Sequence, residues 1–228
     1  DELMKDTAFI GSTPSICHHN GEHIIINRRF VNYKIDKNGN YENQEKIITK
    51  NVIAHFDENL QKKDTHVLNY NTEHNGYYEG LEDIRLLSHK GRLLYNANRS
   101  VASNMVIEHG EIVANGTTCE CLLKKENQNP IEKNWVLFSD ANENLKCIYK
   151  WHPLTIGSLD DGRFVNIQSI SSPLSFKDIR GSSNGVLIDN ELWFLTHLVS
   201  YEHRRYYYHM MVVLDPDTYN IKRYTPLF

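Results

Sequence analysis

Leu81-Glu82-Asp83-Ile84-Arg85-Leu86-Leu87 leads into Ser88-His89-Lys90-Gly91, and the chain returns through Arg92-Leu93-Leu94-Tyr95-Asn96. This reads as a strand, a tight turn and an apolar strand, because a glycine-containing turn between two apolar runs joins antiparallel neighbours. The plan occurs twice more. Ser15-Ile16, His18–Gly21 and His23–Asn27 form one copy, and Ser183–Ile188, Asp189-Asn190 and Glu191–His197 form another. In each copy a polar cluster precedes the first strand and a polar residue ends the second. Around them lie further strand-like runs: Lys46–Phe56, Asn104–Ile107, Glu111–Ala114, Thr118–Leu123, Trp135–Phe138, Leu145–Trp151, Phe164–Ser169 and Tyr206–Leu214. Turn signals at Lys37–Asn40, His109-Gly110, Asn115-Gly116 and Asp161-Gly162 punctuate them. Helical periodicity is scarce. Many short strands joined this way indicate a sandwich, a barrel or a propeller, and the repeat favours an all-β propeller, whose inner strands would gather the polar residues at a central channel. No linker or low-complexity stretch divides residues 1–228, which read as one domain; Lys124–Lys133 is the most loop-like segment.

Composition narrows the function. In 228 residues, 40% are hydrophobic, enough for a real core, and the net charge of −4 argues against nucleic acid as a partner. No apolar run reaches membrane-spanning length and no signal peptide is visible. Cys17, Cys119, Cys121 and Cys147 form no Cys-x-x-Cys pair; Cys119 and Cys121 share a strand face, and the four read as reduced thiols of a cytoplasmic protein. Neither a zinc site nor any other metal is expected, since His18-His19 lacks a matching acid or cysteine cluster. Two glycosylation triplets, at Asn98 and Asn115, carry little weight. The chain begins at Asp1 rather than Met and reads as a piece of a longer protein. Thirteen tyrosines suit either a sugar cleft or exposed strand faces.

Three constellations could carry chemistry. In Gly80–Arg85, strand alternation puts Asp83 and Arg85 on one face. A carboxylate balanced between a cation and burial can act as a general acid, and the same pair can equally be an ion pair capping a strand. In Arg28–Tyr33, one arginine facing inward would need an anionic partner, a carboxylate or a phosphate; otherwise both are solvated. The densest is Arg180–Gly185 with Trp193–His197 and His203–His209, where Arg205, Tyr207 and His209 share one face and Arg204, Tyr206 and Tyr208 the other. Forked donors of this kind suit phosphate or sugar hydroxyls, although Tyr and His also build ordinary outer strands.

Taken in order, these pieces resemble a known family. Thr13-Pro14-Ser15-Ile16 followed by Asn27–Tyr33 resembles the first blade of the β-mannoside phosphorylases, glycoside hydrolase family 130. Gly80–Arg85 is similar to the family's Gly-x-Glu-Asp-Pro-Arg motif, Glu132–Phe138 to its Lys-Asn segment ahead of a Leu-Phe-Pro strand, and Arg180–Gly185 with Leu192–His197 to its last glycine-rich turn and Trp-Leu-x-x-Tyr-His strand. The resemblance implies a five-bladed β-propeller, with one blade abbreviated in a chain this short. It implies inverting transfer on a β-mannoside or related glycan, with Asp83 as general acid and no cofactor; inorganic phosphate or, in a related glycosyltransferase branch, a nucleotide sugar would be the co-substrate. It places Arg29, Arg85, Lys133 and His197 at or near positions that hold phosphate or sugar, and the residue reading adds Arg180, Arg205, Tyr207 and His209. An offshoot of the family accompanies glycosyltransferase regions, so a fused or partner glycosyltransferase domain is expected. Ile84 departs from the family's proline. The competing reading is a propeller that binds glycan or acts as a scaffold without catalysis.

Overall fold

A computed structural model describes residues 8–21, 23–42, 45–71, 78–113, 116, 118–123, 125 and 128–228, without the side chains of 119 and 120. Asn115, Asp1 and the end of the expected strand Glu111–Ala114 lie outside these residues. Four antiparallel blades, each with its strands neighbouring in chain order, account for nearly all the described secondary structure. The first is Ile10–His19, His23–Val31, Ile47–Asp57 and Lys62–Val67, with Tyr78–Glu79 lying parallel beside Ile47. The second is Leu81–His89, Arg92–Val101, Asn104–Ile112 and Thr118–Leu122. The third is Val136–Ser139, Leu145–Trp151, Leu154–Asp160 and Arg163–Ile170. In the fourth, Arg180–Gly181 and Val186–Ile188 both pair with Glu191–Tyr201, and Arg205–Leu214 and Ile221–Tyr224 follow. The chain is all-β and built of propeller blades; four are present, and a fifth is not formed by the described residues. The helix content among them is one 3-10 turn, Leu174–Phe176, so no helix there is long and apolar enough to cross a membrane.

Contacts divide the chain into two compact units. Residues 1–122 and 129–133 hold the first two blades; residues 123–128 and 134–228 hold the last two. In the first unit Ile25 and Ile53 of one blade meet Leu81, Ile84, Leu86, Leu93 and Tyr95 of the next. In the second, Val136, Phe138, Ile148, Leu154 and Ile156 meet Leu192, Phe194, Met210 and Val212. Each such side chain contributes about 1.5–3 kcal/mol as it leaves water.

Local chemistry sets the turns. His89 pairs with Arg92, Asp160 with Arg163 and Ile188 with Glu191, leaving two-residue loops. Both loop residues are left-handed in each: Lys90 and Gly91 at 48° and 74°, Asp161 and Gly162 at 44° and 70°, Asp189 and Asn190 at 47° and 58°. Loops of this hand match the twist of the strands they join. The expected turn at His109-Gly110 is absent. Gly110 instead pairs with Tyr95 on one side and Glu120 on the other, inside one continuous strand, Asn104–Ile112. The His109 Nδ1 lies 2.8 Å from the Tyr95 carbonyl oxygen and helps hold that register.

Candidate functional site

The first cluster is assembled within the first unit. Along His23–Val31 the pleat turns Ile25, Asn27 and Arg29 inward and leaves Arg28 exposed, its guanidinium 5.3 Å from the Phe30 ring centre. Buried Asn27 donates to the Asn51 side chain at 3.1 Å, and Asn51 donates to the Leu81 carbonyl at 2.9 Å. That bond ties the first blade to the start of the strand that bears the two carboxylates. Gly80, just before it, sits at φ +92°, where a Cβ would lie 2.1 Å from the Thr49 carbonyl oxygen.

Leu81–His89 then departs from regular pairing. Glu82 lies opposite Asn98 but Arg85 lies opposite Asn96, so one strand takes three steps while its partner takes two. This bulge interrupts the alternation that predicted a shared face for Asp83 and Arg85. Asp83 adopts φ +53°, a left-handed conformation that aspartate tolerates better than most residues. Bulges re-aim side chains, and strained backbone of this kind costs about 1–3 kcal/mol.

The result is a shared guanidinium. Arg29 donates through Nη1 to Asp83 Oδ1 at 2.8 Å and through Nη2 to Glu82 Oε1 at 3.1 Å. Asn98 donates to Asp83 Oδ2 at 3.1 Å, and Lys133 Nζ stands 3.4 Å from Glu82 Oε2. Arg85 donates to the backbone carbonyl of Asp83 at 3.1 Å. Burial differs sharply: the Arg29 and Glu82 side chains are 7% and 11% exposed, whereas Asp83 is 30% exposed. Asp83 is thus the more exposed of the two carboxylates. Burial works against the charge on Arg29, but Asp83 and then Glu82 outweigh it and raise its pKa. For Arg85 burial dominates and lowers the pKa, with Asp83 opposing. The Tyr33 hydroxyl is pushed up by burial, and neighbouring Arg29 pulls it back.

The second cluster is built within the second unit. Cross-strand pairing sets Arg180 opposite His197 and His197 opposite His209. Ser182 Oγ lies 2.8 Å from His197 Nδ1, and the Tyr207 ring centre is 5.8 Å from that of His197. Arg180 and Arg205 are exposed, Tyr207 is 55% exposed, and His209 is half-buried beside Phe228. The alternating face of Arg205, Tyr207 and His209 is therefore an accessible face.

Asp83, Arg29, Arg85 and Lys133 thus meet in one cluster, and Arg180, His197, Tyr207 and His209 in the other, with Arg205 further along the same strand face. Sequence reasoning passed over Glu82 as a partner, Asn98 as a ligand of Asp83, and Ser182. Asn98 reads as a glycosylation triplet, but it is fully buried with its amide on Asp83, which removes it as an acceptor. Among the described residues no group of three or more His, Cys, Asp or Glu is arranged to hold a metal ion.

No family model matches the sequence, and no curated protein matches it. Solved structures do match the fold. A β-1,2-mannobiose phosphorylase from Listeria innocua superposes with a TM-score of 0.62 at 12% identity, over 96% of this chain and 77% of that one. A structure described with the GH130 mannoside phosphorylases and hydrolases that target β-1,2-mannosidic linkages in Candida mannan gives 0.63 at 10% identity, over 94% and 69%. A GDP-Man-dependent mannosyltransferase from Leishmania mexicana gives 0.54 at 15% identity, over 96% and 69%. The resemblance first seen in Thr13–Ile16, Gly80–Arg85 and Arg180–Gly185 is thus matched by a backbone with the fold of the GH130 mannoside phosphorylases and of a mannosyltransferase.

Proposed function

We propose that this chain is a carbohydrate-active enzyme performing inverting transfer on a β-mannoside or related glycan, with Asp83 as general acid. The observation that carries the reading is the Asp83 environment. A reachable carboxylate on a strained bulge shares one buried guanidinium with Glu82 and is oriented by Asn98. An inverting site needs an acid on one face of the sugar and an attacking group on the other. Asp83 would give its proton to the leaving oxygen as that oxygen's bond to the anomeric carbon breaks. In a phosphorylase a phosphate oxygen would bond that carbon from the opposite face; in a transferase using a nucleotide sugar the acceptor hydroxyl would bond it as the nucleoside diphosphate leaves, and the Asp83 carboxylate would take the hydroxyl proton.

The cations have a clear use in this chemistry. A phosphate needs forked and point-charge donors, not a base, and preorganised donors stabilise charge as it develops. Around Asp83, Arg29, Arg85 and Lys133 would supply them. The five-bladed arrangement belongs to the same reading, and the described residues form four blades.

Phosphorus NMR tests the proposal. Incubation with β-1,2-mannobiose and inorganic phosphate, or with GDP-mannose and mannose, is expected to give α-mannose 1-phosphate or a β-mannoside respectively. A β-linked sugar phosphate would contradict inversion. Binding without turnover in either direction would replace the enzyme with a non-catalytic glycan-binding propeller.

A further inference from the structure

The two carboxylate oxygens of Asp83 are held by donors of different kinds. Oδ1 accepts from Arg29 Nη1 at 2.8 Å, and Oδ2 accepts from Asn98 Nδ2 at 3.1 Å. Neither donor can take a bond in return, because a guanidinium carries only N–H groups and an amide nitrogen only donates. A proton on Asp83 therefore points at neither partner. It occupies a remaining lone pair of one of the two oxygens, on a side chain that is 30% exposed.

Charge decides which oxygen. Arg29 draws negative charge to the oxygen it faces, and the neutral amide of Asn98 draws far less. Arg29 is also anchored from its other side, since Nη2 donates to Glu82 Oε1 at 3.1 Å and Lys133 Nζ stands 3.4 Å from Glu82 Oε2. The cation is thereby kept on Oδ1, and Oδ2 is the oxygen whose partner is neutral. Asn98 is itself firmly placed. It lies on the central strand Arg92–Val101, opposite Glu82 on one side and Ile107 on the other, and is fully buried. The bulge after Glu82 is what brings Asp83 onto its amide.

We propose that Asn98 is a positioning residue for the acid step: by holding Oδ2 with a neutral donor, it makes Oδ2 the atom that carries the proton and turns that proton toward the leaving oxygen. The proposal rests on the reading of Asp83 as general acid and adds the atom that delivers the proton and the residue that selects it. In phosphorolysis the Oδ2–H bond breaks as its proton passes to the leaving oxygen. The bond from that oxygen to the anomeric carbon breaks with its electron pair going to the oxygen, and a phosphate oxygen bonds the carbon. Asp83 is left as a carboxylate, with Arg29 on Oδ1 and Asn98 on Oδ2.

Leaving-group dependence tests this, because a leaving group that is stable as an anion does not need the proton. Phosphorolysis of β-1,2-mannobiose, a poor leaving group, is compared with that of 2,4-dinitrophenyl β-mannoside, a good one, in the wild-type chain, Asn98→Ala, the isosteric Asn98→Asp and Asp83→Asn. Asn98→Ala is expected to lower kcat for mannobiose about tenfold or more, with KM near wild type, and to slow the dinitrophenyl substrate less than about twofold. Asn98→Asp, which faces Oδ2 with an acceptor, is expected to show the same selective loss. Both substrates are measured in one preparation, so a partly unfolded variant lowers both rates alike and leaves their ratio unchanged. A wild-type ratio in both Asn98 variants overturns the proposal, since Asn98 would then serve the fold alone. If the ratio falls in Asp83→Asn and not in the Asn98 variants, the general acid stands and its positioning by Asn98 does not. A wild-type ratio in Asp83→Asn, or a wild-type chain that turns over neither substrate, removes the acid reading and this proposal together.

Discussion

At Asp83 three local requirements coincide. The bulge supplies the direction, the left-handed backbone supplies the exposure, and Arg29 and Asn98 hold the carboxylate oxygens. The geometry depends on a residue that bears no side chain. Gly80 occupies φ +92° hard against the Thr49 carbonyl, so a methyl group there would force the backbone leading to Glu82 and Asp83 to move. Gly80→Ala is expected to cost about 1–3 kcal/mol, lowering the melting temperature by about 2–4 °C per kcal/mol for a chain of this size. An unchanged melting temperature would show that this segment yields more easily than the contact implies.

At the scale of elements, aspartates organise the reversals. Asp140, just after Val136–Ser139, accepts from the backbone amides of Asn142 and Asn144 and from the hydroxyl of Tyr219. Asp57 does the same for Asn59 and Gln61, and Asp215 for Asp217 and Thr218. Burial pushes the Asp140 carboxyl up, but the bonds from Asn144, Asn142 and Tyr219 outweigh it and hold its pKa below the usual aspartate value. Such a group stabilises the fold fully above the unfolded pKa, about 4, and loses that contribution as the pH falls through the lower folded value. Asp140→Ala is expected to cost about 1–3 kcal/mol at pH 7, because it also leaves the buried Tyr219 hydroxyl without this acceptor. In urea unfolding the gap between wild type and variant should narrow at pH 3. An equal gap at both pH values would assign the cost to packing and not to the charge.

The same scale shows what could be read beforehand. Lys90-Gly91, Asp161-Gly162 and Asp189-Asn190 were legible because only certain residues accept left-handed backbone, so the three reversals fall where they were expected. His109-Gly110 has the same appearance and fails, since a glycine inside a strand looks like a turn until its two neighbours are known. Leu154–Asp160 was invisible for a related reason. Its Gly157 is needed where the Val165 carbonyl would lie 2.3 Å from a Cβ, a tertiary contact with no local signature. At the site, Arg29, Asp83 and Arg85 stood out as residue types, but the bulge that pairs Asp83 with Arg29 depends on register across two strands, and no spacing rule contains it.

At the scale of the chain, each unit carries a polar cluster on its blades, and the first unit buries further polar groups beside its own. Charged groups kept away from water are costly unless paired. The first unit sustains two buried pairings of this kind, Arg29 with Glu82 and Arg99 with Glu108, whose side chains are fully buried at 2.6 Å. The two differ in one respect that bears on function. Glu108 is closed in by Arg99 and the Tyr95 hydroxyl, whereas the Arg29 network ends at a carboxylate open to a ligand. The closed pairing is fully buried; the open one ends on a carboxylate that is 30% exposed.

The most direct test is therefore Asp83→Asn, an isosteric change that keeps the side chain's size and removes its capacity to carry an acidic proton. Turnover of mannobiose with phosphate, or of GDP-mannose with an acceptor, is expected to fall by at least 10²-fold, the lower end of what general acid catalysis supplies, with glycan affinity and melting temperature close to wild type. A variant that turns over at the wild-type rate would contradict the account at its centre, leaving the Arg29 network as an ordinary structural ion pair.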